Sequence, residues 1–186
     1  TLRFTVKERL SADGDVLVPL DETSLEGLAQ KLISENVQAV AIGFLHAYAH
    51  DAHERRVRGV LANLLPKDVT LCLSSEVAPE IREYERTSTT VTNAYVKPLT
   101  SRYLLQLTDR LGALGFRGRL FIMLSSGGVT SATTAAEFPV RIIESGPTAA
   151  VIAGQYYSRL FNCPEMFCFD IGGTTAKFFL IQDGIA

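Results

Sequence analysis

Phe167-Cys168-Phe169-Asp170-Ile171-Gly172-Gly173-Thr174-Thr175-Ala176-Lys177-Phe178-Phe179-Leu180-Ile181 reads as an apolar strand that ends at a carboxylate, turns through two glycines and two threonines, and returns as a second apolar strand. Those residue types in that order suit a phosphate site. Glycines let backbone N–H groups approach an oxyanion with no Cβ in the way. Thr174 and Thr175 offer hydroxyl donors, and Asp170 can hold Mg²⁺ directly or through its waters. The GxxxxGK[ST] pattern of a Walker loop is absent. A plain type I′ or II′ hairpin, in which the glycines only make the turn, is the alternative.

Working outward, Glu144-Ser145-Gly146-Pro147-Thr148-Ala149-Ala150-Val151-Ile152-Ala153-Gly154 is a loop entering a helix rich in small residues, with Pro in the first turn where it is tolerated. The spacing predicts that helix from Pro147 to about Phe161. Upstream, Leu2 to Leu10 and Val16 to Val18 flank Asp13-Gly14 as a hairpin, with the first strand opening at the start of the chain, Thr1. Thr23 or Ser24 caps a helix to about Glu35 with Leu25, Leu28, Leu32 and Ile33 on one face. Ala39 to Leu45 reads as a strand covered on both faces. A helix follows from about Ala52 to Leu65, with Glu54, Arg55 and Arg56 as its solvated first turns, and Val69 to Leu73 is a short strand. Pro79 to Leu114 reads as helical, broken at Pro98. Arg119 to Leu124 is a buried strand running into Ser125-Ser126-Gly127-Gly128. Strands alternating with helices indicate an α/β layered fold.

Composition narrows the function classes. The 186 residues are 47% hydrophobic and 20% charged with a formal net charge of -2, so no strong field favours nucleic acid or an anionic membrane. No apolar run approaches the roughly 20 residues of a membrane-spanning helix. Cys72, Cys163 and Cys168 lack CxxC spacing and read as reduced, mostly core thiols of a cytoplasmic protein. The first residue is not Met, and both ends read as cut from something longer.

The helix of the Glu-Pro-Thr-Ala-Ala type followed by a strand ending in Asp170-Ile171-Gly172-Gly173-Thr174-Thr175 closely resembles the hinge helix and second phosphate motif of the actin-like ATPases. Further stretches resemble the hydantoinase A/5-oxoprolinase family, which also supplies subunits of acetone and acetophenone carboxylases. They are Glu8-Arg9-Leu10, Pro19-Leu20-Asp21, residues 41–54 (AIGFLHAYAHDAHE), residues 74–80 (SSEVAPE), residues 82–90 (REYERTSTT) with Asn93-Ala94-Tyr95-Val96, Ser126-Gly127-Gly128 and Ser145-Gly146-Pro147. Together they cover essentially the whole chain in one order.

The resemblance implies an α/β, actin-like (ribonuclease H-like) ATPase lobe with a layered mixed sheet and flanking helices, plus the start of a second lobe. Residues 1–145 would form most of the first lobe, 146–162 the connecting helix and 163–186 the opening phosphate hairpin of the second. It implies ATP and Mg²⁺, with Asp170 as the catalytic and indirect metal residue and Gly146, Gly172, Gly173, Thr174 and Thr175 around the phosphates. A first phosphate motif is expected before Thr1 and adenosine-binding glycines after Ala186. The implied reaction is ATP-dependent activation of a cyclic amide oxygen by phosphorylation, with ketone carboxylation or a non-catalytic nucleotide switch as alternatives. A hydantoinase B-type partner is implied as well. Two departures stand out: Thr148-Ala149-Ala150 where the family often has Ala-Gly-Gly, and Lys177 where it often has Asp. Lys177 either approaches a phosphate as a point charge or lies exposed on the returning strand.

Three other constellations carry chemistry-bearing residue types. His46, His50 and His53 have i, i+4, i+7 spacing that can imitate a metal site on a helix, but a strand end and loop there argue against it. Arg82, Glu83, Glu85 and Arg86 read either as salt bridges at a helix start or as the lining of a cleft or subunit contact. Ser125 and Ser126 lack GxSxG spacing and read as a strand-end turn.

Overall fold

The computed structural model describes residues 2–186. The chain forms two compact units, Thr1–Thr100 and Ser101–Ala186.

In the first unit, β1 (Arg9–Leu10) and β2 (Val16–Val18) pair antiparallel around Gly14, which takes the left-handed φ of +91° that the turn demands. The strand expected from Thr1 is far shorter than its alternating pattern: residues 2–8 are not in a strand, and Thr1 lies outside the described residues. A 3₁₀ turn (Glu22–Ser24) is capped by the Asp21 carboxylate, which accepts from the Thr23 N–H. It leads into α1 (Leu25–Ser34), followed by β3 (Ala39–Ile42), α2 (Ala52–Leu64) and β4 (Thr70–Leu73). β3 and β4 pair in parallel from Ala39↔Thr70 to Ile42↔Leu73, with α2 as the crossover. Leu25, Ala29 and Leu32 of α1 and Val57 and Leu61 of α2 pack with Ile42 and Leu73 of the strands as one core. Each large side chain fully buried there stabilises the unit by roughly 1.5–3 kcal/mol. Ile33, expected inward, is 45% exposed, because one further residue rotates it about 100° off the stripe set by Leu25, Ala29 and Leu32.

After the single turn α3 (Ser74–Val77) comes α4 (Glu83–Ala113), continuous through Pro98 where a break was expected. Hydroxyls along α4 bond back one turn, Ser88 to the Tyr84 carbonyl, Thr90 to Arg86 and Thr92 to Ser88. The inward face of its first half is polar: Arg86, Thr90 and Asn93 are buried beside Ala94.

In the second unit, β5 (Phe121–Met123) and β6 (Val129–Ser131) form an antiparallel hairpin. α5 (Ala132–Glu137) follows, its Thr134 N–H capped by Ser131 Oγ. Leu104 of α4 packs on Ala135 and Ala136. Phe121 is 54% exposed, so β5 is not the buried strand its apolar run suggested. A 3₁₀ turn (Pro139–Ile142) started by its proline comes next. Then come α6 (Ser145–Leu160), β7 (Met166–Ile171) and β8 (Ala176–Ile181), the last two an antiparallel hairpin as expected, in register from Met166↔Ile181 to Ile171↔Ala176. Gly154 of α6 seats the hairpin: a Cβ there would meet Phe179 Cε2 at 2.9 Å and Cys168 Sγ at 3.0 Å. The opposite hairpin face carries Phe167, Phe169 and Phe178, all exposed and within 5.0–6.3 Å of one another by ring centroid.

Candidate nucleotide phosphate site

The β7–β8 hairpin closes through residues 172–175, with the Gly172 N–H donating to the Thr175 carbonyl at 2.9 Å. This is not the two-residue I′ or II′ turn. Neither Gly172 nor Gly173 has positive φ. A Cβ at Gly173 would meet nothing within 4 Å, and one at Gly172 only the Thr175 carbonyl at 3.6 Å. The fold therefore does not require glycine at either position. What the two glycines leave is an exposed, uncluttered backbone between Ile171 and Thr174, as close approach by a ligand demands.

Asp170 is the penultimate residue of β7, followed by Ile171 and then the loop, and is half-buried on the face that packs towards α6. Its carboxylate has no hydrogen-bond or ion-pair partner among the described residues. Its cross-strand partner is Lys177, yet the Lys177 ammonium turns instead to Glu144, at 3.0 Å. Lys177 thus neither lies free on the strand nor neutralises Asp170.

Glu144 is the N-cap of α6 and sits at φ 62°, in the left-handed region. For a non-glycine residue that costs of order 1–3 kcal/mol and persists only where neighbours impose it. The neighbours are visible. Thr148 Oγ1 donates to the Ser125 carbonyl at 3.0 Å, Ser125 Oγ donates to the Ile143 carbonyl, and the Ser125 N–H donates to the Arg141 carbonyl at 2.8 Å. Gly127, at φ +94°, brings its loop against α6, where a Cβ would lie 3.5 Å from Ile152 and 3.7 Å from Thr148. Ser125, Gly127, Glu144 and Lys177 are therefore joined around the first turn of α6, which holds Gly146. Ser125 lies in the strand-end turn expected of it. The part of Glu144 was missed in the sequence, although a residue directly preceding Ser-Gly-Pro at a helix start was the signal available.

The remaining candidates resolve differently. His53 Nδ1 lies 2.8 Å from Glu8 Oε2 in a mostly buried pair, whereas His46 faces Tyr48 and Glu83. The described residues hold no group of three or more His, Cys, Asp or Glu arranged for a metal. Glu54, expected in a solvated turn, is fully buried. It accepts from the Phe44 N–H at 3.0 Å, Ser74 Oγ at 2.5 Å, and the Ser75 N–H and Oγ at 2.9 and 2.7 Å. Arg86, 1% exposed, donates to Ser74 Oγ, to the Glu80 and Phe44 carbonyls and to Glu83. Arg82, whose backbone is left-handed at φ 79°, pairs with Glu85 at 3.8 Å, so the charged cluster is a salt-bridged helix start. Cys72 is buried and Cys168 half-buried, but Cys163 is exposed, because it follows the end of α6 in the connecting turn.

The mixed α/β fold with small sheets is that of an actin-like ATPase lobe. The chain belongs to the hydantoinase/oxoprolinase family: that family model matches residues 86–186, and the hydantoinase/oxoprolinase N-terminal region matches residues 1–65. It is 44% identical over 94% of its length to an uncharacterized protein of Methanocaldococcus jannaschii, covering 26% of that protein. It is 35% identical to the caprolactamase subunit alpha of Pseudomonas jessenii, over 98% of this chain and 26% of that one. The nucleotide-free structure of acetone carboxylase superposes with a TM-score of 0.87 at 29% identity, covering 97% of this chain and 26% of that chain. The ATP-dependent caprolactamase of Pseudomonas jessenii superposes with a TM-score of 0.80 at 35% identity, covering 94% and 25%. The chain thus spans about a quarter of the length of these relatives. Among the described residues no helix is long and apolar enough to cross a membrane.

Proposed function

We propose that this chain contributes part of the nucleotide site of an ATP-dependent enzyme that phosphorylates the oxygen of a cyclic amide, so that the ring can be hydrolysed. The observation that carries this reading is the half-buried, partnerless Asp170 carboxylate beside two glycines that neither the turn nor the packing needs. Gly172 to Thr175 would present backbone N–H and hydroxyl donors to the β- and γ-phosphates, with Gly146 at the facing helix start. Asp170 would hold Mg²⁺ through its waters. The ion, when bound, neutralises charge developing on the transferred phosphoryl group. Phosphorylation is worth ATP because a resonance-stabilised amide is a poor electrophile, whereas its O-phosphorylated form is readily attacked by water at carbon, after which the ring C–N bond breaks and the resulting acyl phosphate is hydrolysed. Residues 1–145, 146–162 and 163–186 would serve as part of the first lobe, the connecting helix and the start of the second lobe. A second, hydantoinase B-type polypeptide would complete the enzyme, as expected when relatives are named as subunits.

The similarity to acetone carboxylase favours a second reading, in which the phosphorylated oxygen is that of a ketone awaiting carboxylation. Both are tested by phosphate release from ATP by the full-length protein with its partner, with and without cyclic amides or ketones plus bicarbonate. Stimulation by an amide that Asp170→Ala abolishes supports the hydrolase. Stimulation only by a ketone with bicarbonate selects the carboxylase. Turnover indifferent to every small molecule would leave a nucleotide switch instead.

A further inference from the structure

We propose that His46, in the loop that follows β3, and Glu83, at the start of α4, recognise the amide group of the small-molecule substrate. This rests on the cyclic-amide reading of function, but it concerns different residues from the phosphate hairpin.

Parallel strands direct ligands to the crevice beyond their carboxyl ends. Here the loop leaving β3 forms a built cluster with the first turn of α4. His46 has φ 58°, a left-handed backbone held by its N–H donating to Glu83 Oε1 at 3.3 Å. Its Nδ1 meets the Tyr48 hydroxyl at 3.5 Å and lies 3.9 Å from Glu83 Oε1. Tyr48 rests over the Arg86 guanidinium at 5.4 Å, and Arg86 is buried under the cluster. Burial pushes the Glu83 carboxyl up. The His46 N–H, its own N–H and Arg86 outweigh that and hold it below its ordinary value, so it is an anion at neutral pH. This frame leaves two groups partly open to solvent: the His46 side chain is 25% exposed and that of Glu83 38%.

The chemistry of those groups selects the ligand. Each nitrogen of the Arg86 guanidinium is already engaged, so no cationic donor is left for an anion, and the Glu83 carboxylate would repel one. A metal ion would find fewer than three ligands among the described residues. The contacts from His46 and Arg86 converge on Glu83 Oε1, and His46 Nε2 has no partner. One imidazole N–H donor beside one carboxylate acceptor complements the C=O and N–H that a ring amide, fixed cis, presents side by side. A ketone offers only the first.

The test uses the full-length protein without nucleotide. Saturation-transfer NMR would measure binding of δ-valerolactam, ε-caprolactam, 5-oxoproline and hydantoin, with cyclohexanone as the ring lacking N–H. His46→Asn removes the imidazole while keeping a residue that tolerates positive φ. His46→Gly, which releases the strain altogether, is the second variant. Loss of one buried hydrogen bond predicts about a tenfold weaker lactam affinity in both variants, with ATP affinity unchanged. Glu83→Gln should weaken the lactam and leave cyclohexanone as it was. Undiminished lactam binding in a folded His46 variant would overturn the proposal, and so would failure of the wild-type protein to bind any of the four rings. Failure of ATP binding with lactam binding intact would instead remove the nucleotide reading alone.

Discussion

Replacing Gly154 by alanine tests whether α6 positions the phosphate hairpin. In a helix interior alanine gains about 1 kcal/mol over glycine. Against that, the new Cβ would stand 2.9 Å from Phe179 Cε2 and 3.0 Å from Cys168 Sγ. Overpacking of this kind costs about 1–3 kcal/mol. The Phe179 ring can swing, since it is only half-buried, but Cys168 is fixed in β7 two residues before Asp170. The net expectation is a loss of about 1 kcal/mol, midway between those terms. Native-state hydrogen exchange on the full-length protein should then show the β7–β8 amides exchanging about fivefold faster, with those of β3–β4 unchanged. Adding Phe179→Leu should return the rate towards wild type. Slower exchange in Gly154→Ala would mean the propensity gain wins and the contact is not tight, refuting the packing argument.

Two further perturbations act on the first unit. Glu54→Ala strands the Phe44 and Ser75 N–H groups and the Ser74 and Ser75 hydroxyls beside buried Arg86. Thermal unfolding should show a loss of about 3–5 kcal/mol, and a loss under 1 kcal/mol would contradict the buried network. Acid should weaken the unit through carboxyls held below their ordinary values. Asp21 is held by Thr23 and Glu22 by Arg56, while Glu83 is pushed up by burial but drawn lower still by the His46 N–H, its own N–H and Arg86. A lowered carboxyl contributes stability present above its unfolded value, near 4, and lost as pH falls through the folded value. The urea midpoint should therefore hold from pH 7 to about 5 and fall below about 4. A midpoint that rises on acidification would contradict the assignment.

What the sequence disclosed follows from which physical signals are local. β7 and β8 were legible to within a residue because an apolar strand, a glycine-threonine loop and a second apolar strand mark a hairpin. α1, α2, β3 and β4 were legible because their burial is apolar and periodic. α4 was not. Its buried face is Arg86, Thr90 and Asn93, so no hydrophobic stripe marks it, and Pro98 looked like a stop. Glu54 was misread for the same reason: its partners come from Phe44, Ser74 and Ser75, and a charge buried by residues up to 21 positions away has no signature in its own helix. At the candidate site, Asp170 and Gly172 to Thr175 could be picked out by residue type. The Glu144–Lys177 pair could not, since it depends on a left-handed backbone at residue 144 and a contact spanning 33 residues.

The most direct test of the account is hydrogen exchange of the 172–175 loop in the full-length protein, with and without MgATP. If backbone N–H groups of Gly172, Gly173, Thr174 and Thr175 cradle phosphate, their exchange should slow at least tenfold on nucleotide binding. The turn at Asp13-Gly14 should be unaffected, and Asp170→Ala should remove the protection. Saturating MgATP that leaves the 172–175 amides exchanging at their free rate would contradict the phosphate assignment outright.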